Sequence, residues 1–105
     1  MTASPFPNRT LARLRAGEAI SCLWLSLGSA ALAEIAAEQA PDAIVLDLQH
    51  GQWDSAMTHA ALTVVAAWGV TPLARVADKQ TLSIGQALDA GAAGVIVPLV
   101  DTAEE

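Results

Sequence analysis

Cysteine and positive charge are both scarce in this sequence of 105 residues. The one cysteine, Cys22, has no partner in the chain for a disulfide, which indicates a reducing compartment and predicts a cytoplasmic protein. The five Lys and Arg residues are scattered among eleven Asp and Glu, so no basic stripe is available for nucleic acid phosphates. No apolar run reaches the roughly 18 residues of a membrane span, and residues 1–15 lack the apolar segment of a secretory signal. We therefore expect neither a nucleic acid partner nor a membrane.

Common nucleotide and redox motifs are missing as well. The sequence has no G-x-G-x-x-G after a predicted strand, no G-x-x-x-x-G-K-[ST] and no C-x-x-C. Gly91 to Gly94 falls in a predicted helix-to-strand turn, which is a poor place to bind phosphate. Cys22 lies in an apolar run without an activating neighbour, so we interpret it as a core residue rather than a nucleophile. The chemistry must therefore come from other side chains.

Strand-like and helix-like segments alternate along the chain. Strands are predicted at about 20–27, 43–48, 71–76 and 94–97, and helices at about 8–16, 30–40, 55–68 and 78–88. The segment 43–48 is a nearly continuous apolar run, which is typical of a strand buried on both faces of a parallel sheet. Strict alternation with short connections favours right-handed βαβ units. The sequence therefore predicts an α/β fold in which one helix precedes about four parallel strands alternating with three helices.

The end of the sequence suggests that this pattern continues. Asp101 or Thr102 is predicted to cap a further helix, with Ala103 to Glu105 as its first turn. A closed (β/α)8 barrel needs about 250 residues. We therefore predict the N-terminal half of a TIM barrel, a single partial domain over residues 1–105 whose C-terminal half is absent. Such a half exposes two strand edges and an apolar interior, so it is expected to be partly unfolded, to aggregate, or to pair with another copy or with its missing half.

Three polar side chains lie at or near predicted strand ends, where parallel α/β folds carry their functional residues. His50 directly follows a buried strand, and it either exchanges a proton with a substrate or is a loop histidine bonded to backbone. Arg75 ends an apolar strand, where its planar guanidinium binds a substrate oxyanion or forms a structural ion pair with Asp47 or Asp89. Asp47 lies within a strand and needs a partner if it is buried. It orients His50 or Arg75, or it serves only in a cap or an ion pair.

Two further residues are weaker candidates. Asp89 is predicted near the C-terminal end of a helix, where a carboxylate is electrostatically unfavourable, and we interpret it from position alone as a surface or cap residue. His59 is predicted in the middle of a helix, on a solvent-exposed face.

Five short motifs together resemble the HpcH/HpaI aldolase family of metal-dependent pyruvate aldolases. The motifs are Leu23-Trp24-Leu25, Leu46 to Gly51, Ala74-Arg75-Val76, Leu88 to Ala92 and Val95 to Pro98. They occur in order from about Thr10 to the end of the sequence, and the spacing from His50 to Arg75 to Asp89 is 25 and then 14 positions. No single motif is specific, but their order and spacing together identify the family.

The resemblance implies a reaction and three catalytic residues. Members cleave a 4-hydroxy-2-oxo acid reversibly into pyruvate and an aldehyde, as class II (EC 4.1.2-like) lyases. By resemblance, His50 is the acid/base histidine and Arg75 binds the pyruvyl oxygen and stabilises the enolate. Asp89 would pair with the histidine.

The resemblance also implies a metal and its surroundings. Trp24 would line the substrate pocket, and Asp47 would lie close behind the metal without binding it. Gln49 stands where many members have Glu and would tune metal-bound water. The metal would be Mg²⁺, Mn²⁺ or Co²⁺, and the family's carboxylate ligands lie on later strands, beyond Glu105.

These implications lead to expectations for the whole protein and for the chain alone. We expect a homo-oligomeric aldolase at full length, and neither activity nor tight metal binding from residues 1–105 alone. The alternatives are a non-catalytic half-barrel that acts in assembly or complementation, and a CoA-ester lyase of the citrate or malyl-CoA type. Gln49, His50 and Gly51 after the second strand argue against the CoA-ester lyase.

Overall fold

Over residues 7–105, which the computed structural model describes, four parallel strands alternate with four helices. The helices are α1 (Arg9–Arg15), α2 (Ala30–Glu38), α3 (Ser55–Ala67) and α4 (Thr81–Asp89). The strands are β1 (Cys22–Leu25), β2 (Ala43–Asp47), β3 (Thr71–Arg75) and β4 (Gly94–Ile96). Within this part of the chain, no helix is both long enough and apolar enough to cross a membrane.

The strands form one sheet in the order β1-β2-β3-β4, and every neighbouring pair is parallel. Sequential order of parallel strands with a helix in each connection is the arrangement of a (β/α)8 barrel, here with four of its strands. The predicted α/β half-barrel is therefore confirmed. The first strand is shorter than predicted, because it was expected over 20–27 and covers only Cys22–Leu25.

The core lies between one face of the sheet and the helices. Since side chains alternate between the two faces of a strand, every second strand residue contributes to it. Ile44 and Leu46 of β2, Ala74 of β3 and Val76, which directly follows β3, pack there with helix residues Ala33, Ala37, Ala61, Leu62, Val65 and Ala87. β2 is buried along its whole length, as predicted from its apolar sequence.

The other face of the sheet, which would be the barrel interior, is partly open. Trp24 is 47% exposed and Ile96 is 39% exposed on this face. Cys22 is also exposed, so its interpretation as a core residue was wrong. The prediction failed because alternation places Cys22, like Trp24, on the face that no helix covers.

Three of the four helices begin at a residue whose side chain caps the helix, and α4 does not. The side chains of Asn8, Ser29 and Asp54 accept the N–H groups that open α1, α2 and α3. The helix predicted at about 78–88 begins later, at Thr81, and has Gln80 at the cap position without a side-chain bond. The Asp78 carboxylate instead accepts the backbone N–H of Gln80 at 2.9 Å, as in a tight turn before the helix.

Residues 101–105 form a turn, so the helix predicted there is not formed. The Glu105 carboxylate accepts the backbone N–H of Asp101 at 2.7 Å and pairs with the Lys79 ammonium at 2.6 Å. These contacts lower the pKa of Glu105, chiefly through Lys79. The ion pair joins the segment after β4 to the loop after β3.

Candidate active site

The polar residues predicted at strand ends converge at the carboxyl end of the sheet. Asp47 and Arg75 are the last residues of β2 and β3, and they are directly opposite each other in the parallel register. Trp24 of β1 is opposite Val45, two residues before Asp47, so Trp24 and Asp47 share a face of the sheet. That face is the one turned away from the helices and towards the barrel interior.

Asp47 and Arg75 form a side-on ion pair with two hydrogen bonds. Arg75 donates from Nε to Oδ1 at 3.1 Å and from Nη2 to Oδ2 at 2.5 Å. The Asp47 side chain is only 4% exposed, whereas that of Arg75 is 24% exposed. The carboxylate is thus inside the protein, and the guanidinium lies between it and the open side of the sheet.

Asp47 also accepts three hydrogen bonds from neighbouring elements. The Trp24 indole Nε1–H donates to Oδ2 at 3.1 Å, and the backbone N–H groups of Gln49 and His50 donate to Oδ1 at 3.1 and 3.0 Å. The Arg75 guanidinium is the largest cause of the pKa of Asp47 lying well below its usual range, and burial opposes this effect. One ionised carboxylate therefore joins β1, β3 and the loop after β2.

Trp24 covers the guanidinium of Arg75. The Arg75 Cζ atom lies 5.0 Å from the centroid of the indole ring, within the range of a cation–π interaction. Trp24 therefore contacts the ion pair twice, once through its N–H group and once through its ring.

Two glycines hold the His50 loop close to the loop after β1. A Cβ atom at Gly51 would lie 2.2 Å from the Asp47 carbonyl oxygen, and one at Gly28 would lie 2.1 Å from the Gln52 carbonyl oxygen. The backbone N–H of Gln52 donates to the carbonyl of Ser26 at 2.8 Å. Close packing of backbone against backbone therefore fixes the path of the chain on either side of Gly51, while the adjacent His50 side chain is exposed.

Asp89 is placed apart from this group. It lies in a groove of about 470 Å³ beside α3 and α4, whose lining includes Asp54, His59 and Ser83 but not His50. α4 leads from the carboxyl end of β3 back towards the start of β4, and Asp89 is its last residue. The structure thus brings together Trp24, Asp47 and Arg75 with the backbone of Gln49 and His50, whereas Asp89 lines a groove that does not include His50.

The residues present do not form a metal site. Across positions 7–105 there is no group of three or more His, Cys, Asp or Glu side chains that could hold a metal ion. Asp47, the buried carboxylate nearest to the other candidates, already accepts five hydrogen bonds on its two oxygens. A carboxylate offers about four lone pairs, so Asp47 has no capacity left for a direct metal bond.

Some of this arrangement was not predicted from the sequence. The bond from the Trp24 indole to Asp47 and the close approaches at Gly28 and Gly51 were missed. Gly28, directly after one predicted strand, and Gly51, three residues after the next, were the available signal for close backbone contact. The tryptophan bond depends on strand register, for which the sequence alone gave no signal.

An open sheet of parallel strands, with helices on one face and an arginine–carboxylate pair at its carboxyl end, defines half of a (β/α)8 barrel with a candidate anion site. The family model of the HpcH/HpaI aldolase/citrate lyase matches residues 20–105. The chain therefore belongs to this family.

Curated relatives and solved structures agree with this assignment. The chain is 38% identical over 98 residues to a hydroxypyruvate/pyruvate aldolase of Agrobacterium fabrum, covering 93% of the chain and 37% of the relative. It is 35% identical over 105 residues to 2-keto-3-deoxy-L-rhamnonate aldolase of Escherichia coli, covering all of the chain and 38% of that protein. A crystal structure of a family member from Burkholderia cenocepacia superposes with a TM-score of 0.84 at 34% identity, covering 91% of the chain and 38% of that structure. The chain thus spans little more than a third of the length of these proteins.

Proposed function

We propose that the full-length protein containing this chain is a carbon–carbon lyase that cleaves a 4-hydroxy-2-oxo acid reversibly into pyruvate and an aldehyde. The observation that carries the proposal is the Arg75 guanidinium, held by the buried Asp47 at the carboxyl end of the sheet. Two of its five N–H groups bond to Asp47, which leaves three for a substrate oxyanion. The aldolase names of the relatives supply the reaction class.

The reaction requires one proton acceptor and one site for negative charge. A base removes the proton of the C4 hydroxyl, and C4 becomes the carbonyl carbon of the departing aldehyde. The C3–C4 bond breaks, and its electron pair moves towards C2, which produces the enolate of pyruvate. Protonation of C3 then gives pyruvate. Arg75 stabilises the enolate oxygen, and His50, which is exposed and whose backbone N–H bonds to Asp47, exchanges the proton.

The remaining site residues have supporting roles in this proposal. Asp47 orients Arg75 and the backbone at His50, which agrees with its five hydrogen bonds. Gln49 precedes His50 in the loop after β2, and its backbone N–H also bonds to Asp47. Since Asp89 lines a groove with His59 that does not include His50, we propose that Asp89 pairs with His50 of another copy in the homo-oligomer that we expect.

We also propose a divalent metal, Mg²⁺, Mn²⁺ or Co²⁺, for the full-length protein. The described residues do not provide its ligands. Its carboxylate ligands would therefore come from outside this chain.

The proposal is tested by measuring pyruvate release from a series of 4-hydroxy-2-oxo acids by the full-length protein. The assay is run with each of the three metals and again after chelation, and malyl-CoA and citryl-CoA are tested in parallel. We expect metal-dependent pyruvate release and no cleavage of the CoA esters. Cleavage of a CoA ester alone would favour the CoA-ester lyase, and no cleavage of any compound would favour a non-catalytic module.

A further inference from the structure

Trp24 makes two different contacts with the ion pair. Its indole N–H donates to Asp47 Oδ2 at 3.1 Å, and its ring lies over the Arg75 guanidinium, with Cζ 5.0 Å from the ring centroid. Oδ2 is also the atom that accepts the shortest Arg75 bond, at 2.5 Å. A single side chain thus contacts both partners of the pair at the point where they meet.

These contacts restrict different motions of the guanidinium. The two hydrogen bonds to Asp47 fix the rotation of the group within its plane. The indole ring blocks displacement of the group out of that plane on one side. Together they leave Nη1 and the outer N–H of Nη2 available to a ligand, in a fixed direction.

We propose that Trp24 is a positioning residue that holds Arg75 for the enolate oxygen, and that it acts through Asp47 and Arg75 rather than by contacting the aldehyde portion of the substrate. This inference rests on the proposed function for its kinetic test. It differs from a pocket-lining role because the indole N–H and one face of the ring already contact protein groups.

Deuterium exchange into the methyl group of pyruvate separates the two roles. In this half-reaction a base removes a C3 proton, the electron pair of that C–H bond moves towards C2 to give the enolate, and a deuteron from solvent then bonds to C3. No aldehyde is present. A positioning role therefore slows exchange and aldol cleavage by the same factor, whereas a contact with the aldehyde affects cleavage only.

Two variants of the full-length protein remove first one and then both of the contacts that Trp24 makes with the ion pair. Trp24→Phe keeps an aromatic face but removes the N–H donor, and we expect exchange and cleavage both to fall about 10-fold. Trp24→Ala removes both contacts, and we expect both rates to fall about 100-fold. Trp68→Phe is the matched control, since Trp68 lies at the end of α3 and is 51% exposed, and its rates should equal those of the wild type.

Unchanged exchange in either Trp24 variant, with cleavage reduced only for certain aldehydes, would overturn the inference. Crystal structures of the wild type and of both Trp24 variants provide a readout that does not depend on activity. We expect the Arg75 guanidinium to leave its side-on pairing with Asp47 in Trp24→Ala and to keep it in the wild type. If the wild type neither cleaves nor exchanges, the proposed function fails, and an unmoved Arg75 in Trp24→Ala would refute the positioning role separately.

Discussion

Replacing Asp47 by asparagine tests the residue of the candidate site that accepts the most hydrogen bonds. Asn has nearly the same shape as Asp, but one oxygen becomes an NH₂ donor and the charge is lost. All five groups around Asp47 are donors, three on Oδ1 and two on Oδ2. The best orientation of the amide keeps its oxygen at the Oδ1 position and turns NH₂ towards the Trp24 indole and Arg75 Nη2.

The cost of Asp47→Asn follows from those two lost bonds. A hydrogen bond to a charged group contributes about 1.5–3 kcal/mol, so two give about 3–6 kcal/mol. Trp24 is 47% exposed and the Arg75 side chain is 24% exposed, so water can replace part of the loss. We therefore expect the free energy of unfolding to fall by about 3 kcal/mol, at the low end of the range for breaking a buried ion pair.

Urea unfolding of the full-length protein measures this change. Asp101→Asn is the matched control, because it makes the same chemical substitution at an exposed residue and should alter stability by less than about 0.5 kcal/mol. If Asp47→Asn were as stable as Asp101→Asn, Asp47 would not have the structural role described above.

Three other predictions concern pH, the His50 loop and the isolated chain. The pKa of Asp47 is lower in the folded protein than its unfolded value of about 3.9. The contribution of Asp47 to stability is therefore present above that pH and is lost as the pH falls below it. In an acid titration, the free energy of unfolding of Asp47→Asn should fall less steeply than that of the wild type. Gly51→Ala places a methyl group against the Asp47 carbonyl and should lower kcat at least 10-fold by displacing His50. Gly85→Ala is the control, because nothing lies within 4 Å of a Cβ atom there, and it should not lower kcat. Equal kcat values for the two variants would refute the tight packing of the His50 loop. Residues 1–105 alone should release no pyruvate even with added metal, since they form no metal site in their described part, and measurable release would contradict the proposal.

The fold was largely predictable because its main signals are local. The nearly continuous apolar run over 43–48 predicted a fully buried strand, and β2 is buried along its length as one of the two inner strands of the sheet. Asn8, Ser29 and Asp54 are strong cap residues, and they fixed three helix starts. Asp78 has the same propensity, but its carboxylate bonds to the turn before α4, a competition between turn and cap that composition does not resolve.

The candidate site was predictable only in part, because it depends on strand register and on what covers each face. Position at strand ends selected His50, Arg75 and Asp47, and pairing of Arg75 with Asp47 was one of the alternatives. The Trp24 bond and the exposure of Cys22 required the register of β1 against β2 and the location of the helices. The place of Asp89 depended on the direction of α4, which leads away from the strand ends.

The most direct test of the central claim is the rate of pyruvate release by the full-length Arg75→Ala variant. Without the guanidinium the enolate loses its cationic partner, and loss of one such group costs about 100- to 1000-fold in kcat. Arg15→Ala is the matched control, because Arg15 is exposed at the end of α1 and should retain wild-type activity. A fall of at least 100-fold in Arg75→Ala alone is the predicted result, and an Arg75→Ala enzyme as active as Arg15→Ala would contradict the account.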